Sequence, residues 1–445
     1  MKSLIVSPSG VRGIVGEDLV PEVVMRFARA FGKLMDKGKI VVGSDTRTSN
    51  EMFKYAAFSG LLSMGCKVVD LDICPTPSIQ LMVKQLRAQG GIVITGSHNP
   101  VEWNALKFIR SDGIFLYPEE GKKLLKIYEN SIPQVGWDKI GTIFRDDSAI
   151  DNHLRKILEV VDKEKIRKKK FKVVLDACNG AGALISPLLL NELGCKVIKI
   201  NCTPNGIFPH PPEPIPSNLG QLCTVVKSEG ADVGFAHDAD ADRLAIVSEK
   251  GEALPEDYTL LLATRFILKK SKGLVVTNVC ATQALDEVAQ EFGCEVIRTK
   301  VGDVWVSRLM REKGAVIGGE GNGGVIIPQI NYARDGIAAI ALLLEYLAQE
   351  NKPVSQLADN LPQYFMVKKK LKASLASFTK VEQRFKKKFG KEKLSFLDGI
   401  KVMKKEGWVH IRMSGTEPII RVIAEAKSEL EAEKLAQWAI ERIRE

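Results

Sequence analysis

The chain has 445 residues, of which 45% are hydrophobic, and a net charge of +10. Its length suits about three domains and its apolar content is enough for ordinary cores, so a soluble, globular, multidomain protein is expected. Met1 to Pro8 holds too short an apolar run for a signal peptide, and no later stretch is long and apolar enough to span a membrane, so a cytoplasmic location is expected. Its eight cysteines contain no C-x-x-C pair and lie mostly within or beside apolar runs, which suits buried free thiols. The positive charge fits nucleic acid, an anionic membrane or a phosphorylated small molecule. The lysine-rich stretches, 163–170, 368–370 and 386–388, are dispersed and lack interleaved aromatics, so they read as solvated faces and a linker.

In chain order, Ser9 to Gly13 presents Arg12 between two slim glycines, where an anion could approach closely; a surface arginine in a turn is an equal reading. A strand follows over 40–47, a helix near 50–64, a strand opening at Gly65, a helix near 78–88 and the β-branched strand Ile92 to Ile94. This β-α-β-α-β pattern recurs from Val173 to Ala236 and from Leu274 to Gly318, so one α/β unit is used three times. Pro204 to Pro216, with six prolines, reads as an extended surface loop. From about Gln363 the pattern changes. Strands are expected over 364–372, 394–403, 408–413 and 419–424, with a basic helix over 380–389 and an amphipathic one over 429–444, which makes a small α+β domain with an antiparallel sheet.

The last strand of each repeated unit runs into an unusual loop, so equivalent edges of three domains could face one cleft. Thr95 to Pro100 presents Ser97 at a strand end, where a hydroxyl can act as a nucleophile or carry a phosphoryl group; a helix-capping turn serine is the alternative. His237 to Arg243 alternates Asp238, Asp240 and Asp242 with alanine. Carboxylates so crowded repel one another unless a cation lies among them, and a hard divalent ion such as Mg²⁺ is the natural occupant. An EF-hand calcium loop would place Glu249 at its twelfth position, but Arg243 stands where that loop needs glycine and the flanks read as strands; a solvated acidic turn is the other alternative. Gly318 to Gly324 carries Glu320 and Asn322 on an almost bare backbone that could lie against a polyol, or form a hairpin tip. Arg412 to Pro418, with Arg421, combines guanidinium groups, hydroxyls and a glycine turn that suit a phosphate; Ser414 and Glu417 also have capping-box spacing.

Together these motifs resemble those of the α-D-phosphohexomutase superfamily, and the likeness spans essentially the whole chain. Thr95 to Pro100 is similar to its phosphoserine loop, Asp238 to Arg243 to its metal loop, Gly319 to Gly324 to its sugar loop and Arg412 to Pro418 to its phosphate loop. The resemblance implies three tandem mixed α/β domains of similar topology and a smaller C-terminal α+β domain around a central cleft, with boundaries expected at 1–153, 154–250, 251–363 and 364–445. It implies a phosphohexomutase in which phosphorylated Ser97 gives its phosphoryl group to a hexose monophosphate and is rephosphorylated from the bisphosphate. On this likeness Ser97, Asp238, Asp240 and Asp242 hold Mg²⁺, His98 neighbours the serine and Lys107 is the candidate for proton transfer. Arg12 and Arg243 steady phosphate oxygens, Glu320 and Asn322 meet the sugar, and Arg412, Ser414, Gly415, Thr416 and Arg421 grip the distal phosphate. Many members carry serine and histidine where this chain has Asn322 and Gly324. The overall character resembles phosphoglucosamine mutases, with phosphomannomutase/phosphoglucomutase close behind. A phosphorylated hexose is the expected partner, without nucleic acid or membrane, and the expected assembly is a monomer or homodimer. Readings from other classes are a nucleic-acid binder using the lysine stretches and a metal-dependent phosphatase using the acidic triplet.

Overall fold

The structure, a computed structural model, describes residues 4–7, 10–372, 375–389, 394–413 and 419–445. Four sheets follow one another along the chain. In the first, Lys39–Ser44 pairs in parallel with Lys67–Ile73 and with Gly90–Ile94, and Trp103–Arg110 adds an antiparallel strand beside Gly90–Ile94. The second sheet repeats this order with Lys172–Asp176, Lys196–Ile200, Val233–His237 and antiparallel Leu244–Ser248. The third does so with Val275–Asn278, Val296–Thr299, Ile317–Glu320 and antiparallel Gly324–Ile326. The threefold use of one unit is therefore real. Each functional loop is the turn between the last parallel strand and an antiparallel return strand. The first sheet is widened to seven strands by Ile5–Ser7, Gly10–Ile14 and Thr142–Arg145.

The fourth sheet is antiparallel throughout, as expected. The stretch 394–403 is not one strand: Leu394–Ser395 and Ile400–Met403 pair with each other around a turn in which Gly399 has φ +76°. The basic helix starts earlier than expected, at Leu375. The proline-rich segment is irregular but crosses to the first domain, where Gly206 packs on the Thr46 carbonyl and the Arg47 guanidinium lies over the Phe208 ring at 4.9 Å.

Packing sorts the four units into bodies. The helix Gly336–Glu350 is apolar on every side, so it can only be stable buried; it shares one continuous core with Ile185, Leu189, Phe235 and Phe266. That core runs through the second and third domains. The first and fourth domains have cores of their own. Polar contacts join the first domain to this central body: Ser78 Oγ lies 2.7 Å from His153 Nδ1, and His153 Nε2 lies 2.7 Å from Asp335 Oδ2. The fourth domain docks in the same manner. Lys401 Nζ donates to the Val279 carbonyl at 2.7 Å, Gln283 N–H donates to Glu425 at 2.9 Å, and His410 lies between Cys280 Sγ at 3.2 Å and the Asp398 carbonyl.

Burial holds the His410 pKa down to about 4 against an ordinary 6.5. Below pH 6.5 the unfolded chain takes up a proton that the native His410 refuses until about pH 4, so the native state loses stability as pH falls through that window. At pH 5 the loss from this one group is roughly 2 kcal/mol. The expected result is a thermal midpoint that drops between pH 7 and pH 5 by less in His410→Gln than in the parent chain.

Candidate active site

Three acidic side chains lie at the centre of the candidate site. Asp238, Asp240 and Asp242 lie in the turn between Val233–His237 and Leu244–Ser248, all fully buried, with one carboxylate oxygen of each within 4.8 Å of the others. Ala241 takes a left-handed φ of 54°, which lets the chain reverse and aim Asp240 and Asp242 together. The flanks are two paired strands, and Glu249 is bonded to Ser355, so the calcium-loop reading is excluded. Burial and the neighbouring carboxylates raise the pKa of Asp238. Burial also raises that of Asp242. Asp240 is driven the other way: burial opposes ionisation, but Lys107 and Thr76 outweigh it and lower the pKa.

Arg243 N–H, in the same turn, donates to Asp238 Oδ1 at 3.3 Å, and the other cations and donors that relieve this crowding come from other segments. Ser97 Oγ donates to Asp238 Oδ2 at 2.9 Å, Thr76 Oγ1 to Asp240 Oδ2 at 2.6 Å and Lys107 Nζ to the same oxygen at 2.7 Å, all from the first domain. From the third, Arg334 Nη2 donates to Asp242 Oδ2 at 2.6 Å. Burial disfavours the Lys107 ammonium, but Asp240 and Asp242 outweigh this and raise its pKa, so Lys107 is protonated here. Asp240 Oδ1 and Asp242 Oδ1 are buried with no hydrogen-bond partner among the described residues. Buried carboxylate oxygens left bare are costly, and two of them beside a third carboxylate fit a hard divalent cation.

Ser97 is held by a device that the sequence reading did not identify. Arg47 lies under the loop, 2% exposed, and Nη2 donates to the carbonyls of Ser97 at 2.8 Å and Asn99 at 2.6 Å. Its Nη1 donates to those of Pro100 at 2.7 Å and Trp103 at 2.9 Å. Asp45 accepts from Arg47 N–H and from Thr95 Oγ1, and Thr95 Oγ1 accepts from Ser97 N–H at 2.8 Å. Gly96 is required because a Cβ there would fall 2.6 Å from the Arg47 Cζ. Ser97 itself has φ 48°, a left-handed conformation that turns its side chain toward Asp238.

Around the serine the charge is positive. Arg243 Nη2 donates to His98 Nδ1 at 2.9 Å. Burial, then the Arg243 and Arg12 cations, hold the His98 pKa well below the usual histidine value, so the ring is a neutral acceptor. Arg12 is 3.4 Å from Asn99 Oδ1; burial first and the nearby Arg243 lower its pKa, and Arg421 is close enough to add to that. Arg12, Arg243 and Arg421, from three domains, thus converge on one volume.

Glu320 is 4% exposed and already well bonded. Its Oε1 accepts from Asn278 Nδ2 at 2.8 Å and Gly302 N–H at 2.9 Å, and its Oε2 from Arg334 Nη1 at 3.1 Å. The Asn322 amide oxygen closes its own turn on Gly324 N–H at 3.3 Å. A side chain at 324 would require Arg334 to move, because a Cβ would fall 2.3 Å from its Cδ. Arg412 pairs with Asp398 at 3.4 Å, and Asp398 accepts from Val301 N–H at 3.0 Å, so it faces the third-domain loop that also binds Glu320. Ser414, Gly415 and Thr416 lie outside the described residues. Arg334, Thr76, Asp45 and Arg47 were missed as site residues. The only signal was position: Asp45 and Arg47 directly follow Lys39–Ser44, the first parallel strand of a repeated unit, and Arg334 precedes the Asp335 that caps Gly336–Glu350.

Since Arg47 bridges four carbonyls of one loop, Arg47→Met leaves them without a donor. Amide hydrogen exchange over 95–103 should accelerate at least tenfold, and the chain should lose about 3 kcal/mol of stability; unchanged exchange would remove Arg47 from this role.

Comparison with known proteins agrees with this geometry. The four domains of the phosphoglucomutase/phosphomannomutase family match in order: alpha/beta/alpha domain I over 4–134, domain II over 151–251, domain III over 255–365 and the C-terminal domain over 365–441. A Thermococcus kodakarensis protein named phosphoglucomutase/phosphomannomutase is 41% identical, the match covering 98% of this chain and 97% of its own. A Methanopyrus kandleri protein named probable phosphoglucosamine mutase is 38% identical over 98% of this chain and 97% of its own. The crystal structure of a Burkholderia thailandensis phosphoglucomutase/phosphomannomutase family protein superposes with a TM-score of 0.86 at 28% identity, covering 99% of this chain and 96% of that one. This chain belongs to the phosphoglucomutase/phosphomannomutase family and is a phosphohexomutase, an enzyme of intramolecular phosphoryl transfer.

Proposed function

We propose that this phosphohexomutase interconverts glucosamine 6-phosphate and glucosamine 1-phosphate, with Ser97 as the phosphoryl carrier. The observation that carries the mechanism is the hydroxyl of Ser97, 2.9 Å from Asp238 and beside two bare carboxylate oxygens. In the forward half-reaction the P–Oγ bond of phosphoserine breaks as a bond forms from phosphorus to the free sugar hydroxyl, whose proton passes to a base. The second half-reaction returns the other phosphoryl group to Oγ. Mg²⁺ held by Asp238, Asp240, Asp242 and the serine phosphate would neutralise charge on the transferred group.

The chain's own residues do the rest. Arg12 and Arg243 bind phosphoryl oxygens, and Arg412 and Arg421, with Ser414, Gly415 and Thr416, hold the phosphate that is not reacting. Neutral His98, accepting from Arg243, fixes that guanidinium beside Ser97. Glu320, anchored on three donors, keeps one lone pair of Oε2 for a sugar hydroxyl, and Asn322 lines the same turn. Lys107 is the proton-transfer residue. It must shed its proton and its ion pair with Asp240 to act as a base, which links its basicity to the charge among the three carboxylates.

For the sugar, the Methanopyrus kandleri relative and several others are named probable phosphoglucosamine mutases. The 41% identical Thermococcus kodakarensis relative is named phosphoglucomutase/phosphomannomutase and supports that second reading. On one preparation, kcat/KM for glucosamine phosphate is expected to exceed that for glucose and mannose phosphates at least tenfold; the opposite order selects the second reading and leaves the mechanism intact. Ser97→Ala is expected to lower mutase turnover by about 10³-fold or more and to abolish phosphate labelling of the protein. Retention of full activity would sink the covalent route. Chelation should silence the enzyme and added Mg²⁺ restore it, with Asp240→Asn raising the Mg²⁺ concentration needed.

A further inference from the structure

Glu320 is aimed by donors on two short segments, and both segments are tied to the fourth domain. Asn278 Nδ2 and Gly302 N–H hold Glu320 Oε1 at 2.8 Å and 2.9 Å. One residue after Asn278, the Val279 carbonyl accepts from Lys401 Nζ at 2.7 Å. One residue before Gly302, Val301 N–H donates to Asp398 Oδ2 at 3.0 Å. Consecutive amides therefore serve two carboxylates, Val301 that of Asp398 and Gly302 that of Glu320. Gly302 takes φ 122°, a value open to glycine and to few other residues, and this twist lets the two N–H groups diverge.

Asp398 has a second partner. The same Oδ2 lies 3.4 Å from Arg412 Nη1, so one oxygen faces both the amide beside Glu320 and the arginine of the phosphate loop. The turn that carries Asp398 is pressed onto that arginine: a Cβ at Gly399 would fall 2.4 Å from the Ile411 carbonyl oxygen and 2.9 Å from Arg412 Cβ. The Asp398 carbonyl accepts from His410 Nε2, which pins the backbone of the turn as well. An aspartate present only to form a turn spends its carboxylate on neighbouring backbone N–H groups. This one spends it on another domain and on a guanidinium.

We propose that Asp398 is a positioning residue that fixes the separation between Arg412 and Glu320, so that the phosphate held by the fourth domain and the ring held by the third are presented to Ser97 as one rigid body. The inference rests on the reading of Arg412 as a phosphate ligand and of Glu320 as a sugar ligand, and it holds whichever hexose phosphate is turned over. A hexose phosphate keeps its phosphate and its ring hydroxyls at set distances, so two grips that drift apart cannot both be satisfied while the reacting hydroxyl is in line. A misplacement of about 1 Å at the reacting centre costs on the order of 10²-fold in rate. Charge-assisted hydrogen bonds to a shared carboxylate oxygen are short and directional enough to hold that separation.

The test is the coupling between the two grips, read as kcat/KM for hexose phosphate on the full chain. In the parent background, combining Glu320→Gln with Arg412→Met should cost at least about tenfold less than the product of the two single losses, because either change alone already spoils the shared alignment. Asp398→Asn keeps an acceptor for Val301 N–H and removes the charge that faces Arg412. On that background the two losses should simply multiply. Asp398→Asn alone should lower kcat about tenfold or more, with KM changed by less than about threefold and the thermal midpoint held within about 2 °C. A drop in the midpoint with a raised KM and an intact kcat would make Asp398 merely structural and overturn the proposal. Losses that multiply in the parent, or a coupling that survives Asp398→Asn, overturn it equally. Single Glu320 and Arg412 variants with full kcat/KM would remove the reading on which it rests, and the proposal with it.

Discussion

The constraint on which the structure turns is electrostatic. Three carboxylates share a buried turn with ligand oxygens within 4.8 Å of one another. Like charges about 4 Å apart cost on the order of 4 kcal/mol per pair even at an effective dielectric of 20. Arg243 of the same turn supplies part of the relief, and Lys107, Thr76 and Ser97 of the first domain with Arg334 of the third supply the rest, so the acidic turn is a point where three domains meet. Arg334 extends the coupling, because the guanidinium that answers Asp242 also holds Glu320 and lies 3.4 Å from Asp303. One guanidinium thus links the acidic turn to Glu320.

The distribution of apolar surface decides which parts can move. The second and third domains share one core, so their loops keep a fixed relation. The outer domains are attached by polar contacts, each worth about 1 kcal/mol net. The fourth is held by Lys401, Glu425 and His410, by Asp398 on Val301 N–H and by the ion pairs Lys368–Glu256 and Lys427–Glu287, and burial depresses the Lys401 pKa to about 7. A domain so attached can swing without unfolding anything. The proposed mechanism uses that freedom, since its intermediate turns over before the second transfer.

Much of this was legible in the sequence, for identifiable reasons. β-branched runs ending in glycine or polar turns mark parallel strands whose ends carry chemistry, so Ser97, the acidic triplet and Glu320 stood out, as did the three copies. The antiparallel sheet of the last domain followed from its change of period. What could not be read were residues whose role exists only through distant partners. Arg47 is 50 positions from the Ser97 carbonyl it supports, and Arg334 is 92 from Asp242. The break in 394–403 carried a readable signal, the Asp398-Gly399 turn pair with Gly399 left-handed, but the apolar residues on both sides of it outweighed that signal. Lys107 was matched as a proton-transfer residue, but its present ion pair with Asp240 depends on the fold rather than on any local motif.

The three loops show why a repeated unit can serve one reaction. In each copy the functional turn is clamped on both sides by strand pairing, between Gly90–Ile94 and Trp103–Arg110, Val233–His237 and Leu244–Ser248, and Ile317–Glu320 and Gly324–Ile326. A turn between paired strands loses little entropy when a ligand arrives, so a hydroxyl, a carboxylate cluster and a polyol-facing backbone can each be set in advance. Phosphoryl transfer asks for little besides alignment and neutralised charge. Fixing alignment in the sheets leaves sequence variation at the turn tips free to adjust what the proposed function asks of them. At the third tip that variation is bounded by Arg334, since its aliphatic stem occupies the space next to position 324.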